Sequence, residues 1–301
     1  MQSFELNFAA TNQFWRAEGG TLHRAMGLLA QIYAVQHIRK LRGGSQAHLI
    51  RASDGQYYVT KFKNNPQDIR ILACEYLGTR IGRLLGLPMP EVKIIDVSEW
   101  LITNTPELRI DTAGLSIPCA TGLQLGIRYA ADPELDQIFD YLPEGMLGRL
   151  SNRSDFPLVL AFDKWTCNSD GRQAVFVKRR GSRLYNAIFI DQGYCFNAGS
   201  WDFPDQPLRG VYARNSVYAA VTSWQSFEPV LSRIEQIRFE ELHAIAEEIP
   251  EEWYQHDSDG LNRLLNALCD RRTLIRDLIT AFRNSSRNPF PNWNAPEPPS
   301  T

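Results

Sequence analysis

Long apolar runs are missing from this chain: nowhere do about 18 consecutive apolar residues occur, so a membrane span is not expected. The nearest N-terminal approach to one, Met26-Gly-Leu-Leu-Ala-Gln-Ile-Tyr-Ala-Val35, is broken by Gln31 and has no small-residue cleavage site. It reads as structured or partly ordered sequence and not as a signal peptide. An excess of either charge is missing too, since 32 Lys and Arg against 34 Asp and Glu leave a net charge of −2. That balance excludes bulk electrostatic capture of nucleic acid, so direct nucleic-acid binding is not expected, although a local basic groove stays open. Cysteines are few: Cys74, Cys119, Cys167, Cys195 and Cys269 are odd in number, widely spaced and never in a CxxC pair. Histidines at 23, 37, 48, 243 and 256 show no HxxxH spacing. Neither a zinc site nor a disulfide framework follows from such a set, and a cytoplasmic, reducing compartment is the expectation. GxSxG and GxxxxGK(S/T) are also absent, which removes the commonest serine-hydrolase and P-loop routes.

What remains is an ordinary globular composition, 44% hydrophobic and 22% charged, too apolar for a disordered chain. Residues 1–30 have weak periodicity and read as an N-terminal extension. Strands are expected at 32–38, 47–50 and 56–62, with a glycine turn at Arg42-Gly-Gly-Ser-Gln46 and a hairpin turn at Ser53-Asp-Gly55. Asn65-Pro66-Gln67-Asp68 looks like a helix start, and apolar residues from Ile69 to Leu85 carry that helix to Gly86 and Pro88. Two more strands, 92–97 and 122–129, flank an irregular insertion. A strongly apolar helix at 156–166, short strands at 174–177 and 186–190, a loop at 203–210 and helical patterning from residue 215 follow. The stretch 288–301 holds five prolines and should be disordered or draped on the surface. The fold class expected is α+β with two unlike lobes: a β-rich lobe over 31–130 and a mainly helical lobe over 131–287.

Chemistry concentrates at the junctions of these elements. The backbone of Gly43, Gly44, Ser45 and Gln46 is bare enough to approach phosphate oxygens, although a plain hairpin turn is the commoner use of such a sequence. Lys61 lies on the same strand face as Tyr57 and Val59, and a buried ammonium there needs an anion. Glu75, set mid-helix among apolar neighbours, is the candidate partner. Asn168-Ser-Asp-Gly-Arg-Gln173 is a dense polar run directly after an apolar helix, and Asp191 ends an apolar strand just before Gln192-Gly193. Such a carboxylate could ligate Mg²⁺ or simply form a turn. Arg209 and Arg214 could grip a phosphate or acidic substrate, or merely pack their loop.

In this order the segments resemble the HipA-like kinases, of protein-kinase-like fold. The residues carrying the likeness are Arg42-Gly-Gly-Ser-Gln46, Tyr58-Val-Thr-Lys61 with Asn64-Asn-Pro-Gln67, the helix with Glu75, Phe162-Asp-Lys-Trp165 with Asn168-Ser-Asp-Gly-Arg-Gln173, and Ile190-Asp-Gln-Gly193. The resemblance implies ATP and Mg²⁺ as cofactors and transfer of the γ-phosphate to a hydroxyl-bearing acceptor, a protein among the options. It implies that 43–46 cover the phosphates, Lys61 contacts them, Glu75 orients Lys61, Asp170 serves the acceptor hydroxyl and Asp191 is the principal metal ligand. It also implies an Asn five residues after Asp170, where Val175 stands instead, and a His where Arg172 stands. Gln173 or Asn168 could supply the missing oxygen. If neither does, the alternative is a non-catalytic pseudokinase that binds nucleotide or a partner.

Overall fold

Five N-terminal strands of five to nine residues close on one another in the computed structural model, which describes residues 32–112, 114–133 and 135–294. The expectation for 1–30 therefore lies outside the described residues. The strands are β1 (Ile32–Lys40), β2 (His48–Ala52), β3 (Tyr57–Lys61), β4 (Val92–Val97) and β7 (Gly122–Arg128), in the order β1-β2-β3-β7-β4. A short parallel pairing of Ile32 with Ile95 and Tyr33 with Asp96 completes the barrel. Alternation along β3 decides which side chains matter. Tyr58 points into the barrel core with Ile50, Phe62 and Ile95, while Val59 packs on the main core outside it. Lys61 shares the outer face with Val59 by parity.

Helix α1 (Arg70–Leu84) lies against that outer face, buried along most of its length. It starts five residues after Asn65, later than the sequence suggests, because the polar residues before it form turns of their own. The Asn65 side chain accepts the Gln67 amide at 2.8 Å, and Asp68 accepts the Arg70 amide at 2.7 Å. The insertion between β4 and β7 is more regular than expected, with α2 (Glu99–Thr103) and a hairpin of β5 (Arg109–Thr112) and β6 (Leu115–Pro118). Leu101, Leu108 and Ile110 plug the barrel interior and so fix the hairpin beside it.

The C-terminal half mixes helices with a small antiparallel sheet, β10 (Asn186–Ile190), β9 (Gln173–Lys178) and β8 (Gln137–Phe139), of which β8 was not expected. Helix α3 (Asp155–Trp165) is buried all round, which explains its apolar sequence. Helices α4 (Val230–Gln236) and α7 (Ile275–Arg283) pack against it, α6 (Ser258–Arg271) is hydrogen-bonded to Trp165 at its end, and α5 (Phe239–Ala246) lies against α1 and α6. One apolar cluster runs from α1 and β4 through α3 to α7, so α1 is shared between the barrel and the helical part. Residues 288–294 correct the expectation of a disordered tail. Phe290 is 3% exposed and packs edge-on against Tyr218, Phe227 and Phe282, and Trp293 packs edge-on against Trp224. Two large aromatics outweigh the prolines there; 295–301 lie outside the described residues.

Candidate active site

Lys61 and Glu75 meet because β3 and α1 turn their facing sides to each other. Lys61 Nζ lies 2.7 Å from Glu75 Oε2 and 3.0 Å from Asp191 Oδ1, with Lys61 and Glu75 both buried. Glu75 also accepts the backbone N–H groups of Gln192, at 2.8 Å on Oε1, and Gly193, at 3.0 Å on Oε2. Gly193 is required for that approach, since a Cβ there would sit 2.7 Å from Ile71 Cγ2. Burial opposes the charge on Lys61, yet the Glu75 and Asp191 carboxylates outweigh it and hold its pKa above the usual lysine range. Burial pushes the Glu75 carboxyl up against the pull of Lys61. At Asp191 burial is overcome by Lys61, so that carboxyl falls below the usual range. Asp191 itself adopts φ 64°, a left-handed conformation in which a non-glycine residue is strained.

The loop after α3 brings Asp170 to the same place. Gln173 begins β9 opposite Ile190, one residue before Asp191. Its Nε2 lies 3.1 Å from Asp191 Oδ2 and 3.4 Å from Asp170 Oδ2, so one amide spans both carboxylates. Asn168 is not available in the same way. It is buried, its Nδ2 donates to Asp163 at 3.0 Å, and its Oδ1 accepts the Asp170 amide at 3.1 Å. Val175 lies two residues beyond Gln173 on the same strand face, paired with Ile188. Among the described residues, no group of three His, Cys, Asp or Glu stands ready to hold a metal by itself. Two carboxylates and an amide nevertheless suit Mg²⁺, which takes one or two carboxylates and fills its octahedron with water and phosphate oxygens.

Arg172 braces this turn from below. Its Nε donates to Asp163 Oδ2 at 2.8 Å and its Nη2 to Asp163 Oδ1, while Nη1 reaches Ile190 O at 2.8 Å and Gln192 Oε1 at 2.5 Å. It therefore grips the residues on both sides of Asp191. Neither this role nor that of Asp163 was expected. The signal was present as two charges, Asp163 and Lys164, inside an otherwise apolar helix.

The glycine turn is held open-handed by the insertion hairpin. Gly43 sits at φ 134°, accessible to glycine, and Gln46 at φ 47°. The Gln46 side chain pairs with the Asp111 backbone, accepting its N–H at 2.8 Å and donating to its carbonyl at 2.6 Å. Gln46 thus offers only its backbone to any ligand. A Cβ on Gly44 would lie 3.9 Å from Gln67 Nε2, and that same nitrogen donates to the Tyr194 hydroxyl at 3.1 Å. The turn, residue 67 and the segment after Asp191 so converge at one end. At the other, a cavity of about 610 Å³ is lined by Tyr57, Met89, Ala130, Asp132 and Ile188.

Residues 34–118 match the HipA-like kinase family model. No curated protein matches the chain. Among solved structures, the Helicobacter pylori proinflammatory kinase CtkA is similar at 12% identity and TM-score 0.51, over 83% of this chain and 97% of that one. A Golgi casein kinase (11% identity, TM-score 0.48, 90% of this chain and 78% of that one) and hydra Fam20 with sugar (13%, 0.48, 90% and 92%) are also similar. At such identities the CtkA likeness shows a shared kinase-like fold and no more.

The HipA-like segment contains the glycine turn, Lys61 and Glu75, whereas Asp170, Gln173 and Asp191 lie beyond it. Past Asp191 stand Arg209 and Arg214, expected either to grip a phosphate or acidic substrate or to pack their loop, and they differ. Arg214 stacks on Tyr141 and Tyr212 and donates to Leu142 O, so it packs its loop. Arg209 has one side-chain hydrogen bond, to Asn197 Oδ1 at 3.3 Å, and precedes Gly210, whose amide donates to Asp170 O at 3.1 Å.

Proposed function

We propose that the chain is a HipA-like, ATP- and Mg²⁺-dependent kinase with two lobes, 31–130 and 131–287, transferring the γ-phosphate to a hydroxyl acceptor. The observation that carries this reading is the unbroken contact chain Glu75–Lys61–Asp191–Gln173–Asp170. It supports a division of labour by distance. Tyr57 lies four residues before Lys61 on β3, about 13 Å at the strand rise, and lines the cavity that would take the base. Ile188 lines it from β10, three residues before Asp191. A nucleoside triphosphate laid along this line has its base beside Tyr57 and Ile188 and its phosphates at Lys61 and under the amides of 43–46.

Lys61 would hold phosphate oxygens, with Glu75 fixing the ammonium. Asp191 and Gln173 would hold Mg²⁺, Gln173 through its amide oxygen after the amide turns over, with Asn168 the less open candidate. The metal, when bound, neutralises charge on the phosphates. Asp170 would orient the acceptor hydroxyl and accept its hydrogen bond. Positioning and electrostatics then supply the rate, with no covalent intermediate on the protein. No helix among the described residues is long and apolar enough to cross a membrane, and a cytoplasmic setting is part of the proposal.

The alternative pseudokinase reading draws on Val175, which cannot ligate anything. The deciding experiment is ATP turnover and autophosphorylation in wild type and Asp170→Ala. Loss of transfer in the variant with retained nucleotide binding supports the kinase. Equal activity in both proteins removes Asp170 from the mechanism, and Mg²⁺-independent ATP binding without transfer in wild type favours the pseudokinase.

A further inference from the structure

A cavity of about 70 Å³ lies beside the Asp170 loop, lined by Lys164, Cys167, Asn168, Arg209 and Leu278 together with Asp163 and Asp205. Its charges do not cancel. Asp163 is occupied on both oxygens by Arg172, and Asp205 on both by Arg271, at 2.7 and 2.8 Å. Among the described residues Lys164 has no carboxylate partner, although it is 5% exposed. Its Nζ donates to Pro207 O at 2.8 Å and Arg209 O at 2.5 Å and lies 5.1 Å from the centre of the Phe282 ring, so two neutral carbonyls and a ring face, but no anion, meet the charge among the described residues. Burial pushes its pKa down to about 8 despite Asp163 and Asp205 nearby, and Arg287 adds to the positive potential. A buried ammonium is costly without an anion, and a second cation, Arg209, lines the same space. The volume holds about four or five water-sized groups, enough for one carboxylate or phosphoryl head.

The cavity also adjoins the loop that carries Asp170. Asn168 supports the Asp170 amide, and Arg209 is next to Gly210, which donates to the Asp170 carbonyl. We propose that this cavity is an oxyanion subsite, held by Lys164 and Arg209, that receives an acidic group of the acceptor. The assignment to an acceptor rests on the kinase reading; the anion site itself does not.

Calorimetric titration of the full chain with inorganic phosphate and, separately, with acetate tests the site in wild type, Lys164→Met, Arg209→Gln and Lys61→Met. The expected result is a saturable event in wild type that Lys164→Met and Arg209→Gln each weaken at least tenfold and that persists in Lys61→Met, where only phosphate held at the proposed nucleotide site is lost. Phosphate alone binding identifies a phosphoryl group, whereas acetate binding identifies a carboxylate. Absence of saturable binding, or loss only in Lys61→Met, overturns the site. Should Lys164→Met fail to fold, the half-exposed Arg209→Gln still decides. The acceptor arm compares serine peptides flanked by glutamate or phosphoserine with alanine-flanked ones. A lower KM for the acidic peptide, abolished in Arg209→Gln, supports the assignment, and equal KM values overturn it. A wild type that binds phosphate but never turns over ATP sinks the kinase reading and leaves the anion site standing.

Discussion

Glu75 Oε2 receives two donors at once, Lys61 Nζ at 2.7 Å and the Gly193 amide at 3.0 Å. A single carboxylate oxygen therefore ties β3, α1 and the turn after Asp191 into one unit. The position of Lys61 and the position of Asp191 are not independent variables in this protein.

Removing that carboxylate should be expensive. Glu75→Ala leaves Lys61 buried with only Asp191 and orphans two backbone amides, which predicts a loss of about 3–5 kcal/mol in urea unfolding. The double variant Lys61→Met/Glu75→Leu should recover only the share due to the unpaired ammonium, since the Gln192 and Gly193 amides stay without an acceptor, while ATP turnover stays lost. A cost below about 1 kcal/mol for the single variant contradicts a structural ion pair.

Gln173 and Val175 make opposite predictions. Gln173→Ala should lower ATP turnover at least tenfold and raise the Mg²⁺ concentration needed for half-maximal rate. Val175→Asn should bring no gain, because that position lies about 7 Å from Gln173 along the strand. The added amide would be buried against Ile188, at a cost of about 1–3 kcal/mol. Titration of turnover with Mg²⁺ in both variants checks this, and a more active Val175→Asn would refute it.

Acid should weaken the barrel through His48. Burial first, and then the neighbouring His37 ring, hold its pKa down to about 4, while an unfolded histidine takes a proton near 6.5. Between these values the unfolded chain binds more protons, so stability falls as pH drops from about 6.5 to about 4, by about 3 kcal/mol from this group. Unfolding free energy measured across that range should slope less steeply in His48→Gln. Identical slopes would mean that His48 is not the sensor.

The aromatic lock at residues 288–294 gives a fourth test. Phe290→Ala should cost about 3–5 kcal/mol by leaving a cavity between Tyr218, Phe227 and Phe282, read as a lower thermal midpoint. An unchanged midpoint would show that the segment is only draped.

The barrel strands, the apolar α3 and the polar clusters around Asp170 and Asp191 were legible because each depends on local pattern: period-two alternation, an unbroken apolar run, a charged residue at a strand end. The rest depended on partners distant in sequence. Gln46 could not be assigned to the Asp111 backbone, nor Arg172 to Asp163, from spacing alone. The late start of α1 shows turn chemistry at Asn65 and Asp68 overriding a plausible cap, and strand β8, with only three residues, carries too little pattern to be seen. Proline content misled at 288–294, where Phe290 and Trp293 decide the outcome.

That last segment also bears on how the molecule is made. A chain emerging from the ribosome folds its N-terminal parts first, and the barrel strands span a contiguous stretch that ends at Arg128. The helical part is different: Tyr218, Phe227 and Phe282 all pack edge-on against Phe290, which follows them in the chain. During synthesis the Lys61 side of the cleft can thus take shape early, while the Asp170 side waits for one aromatic ring 120 residues further along the chain.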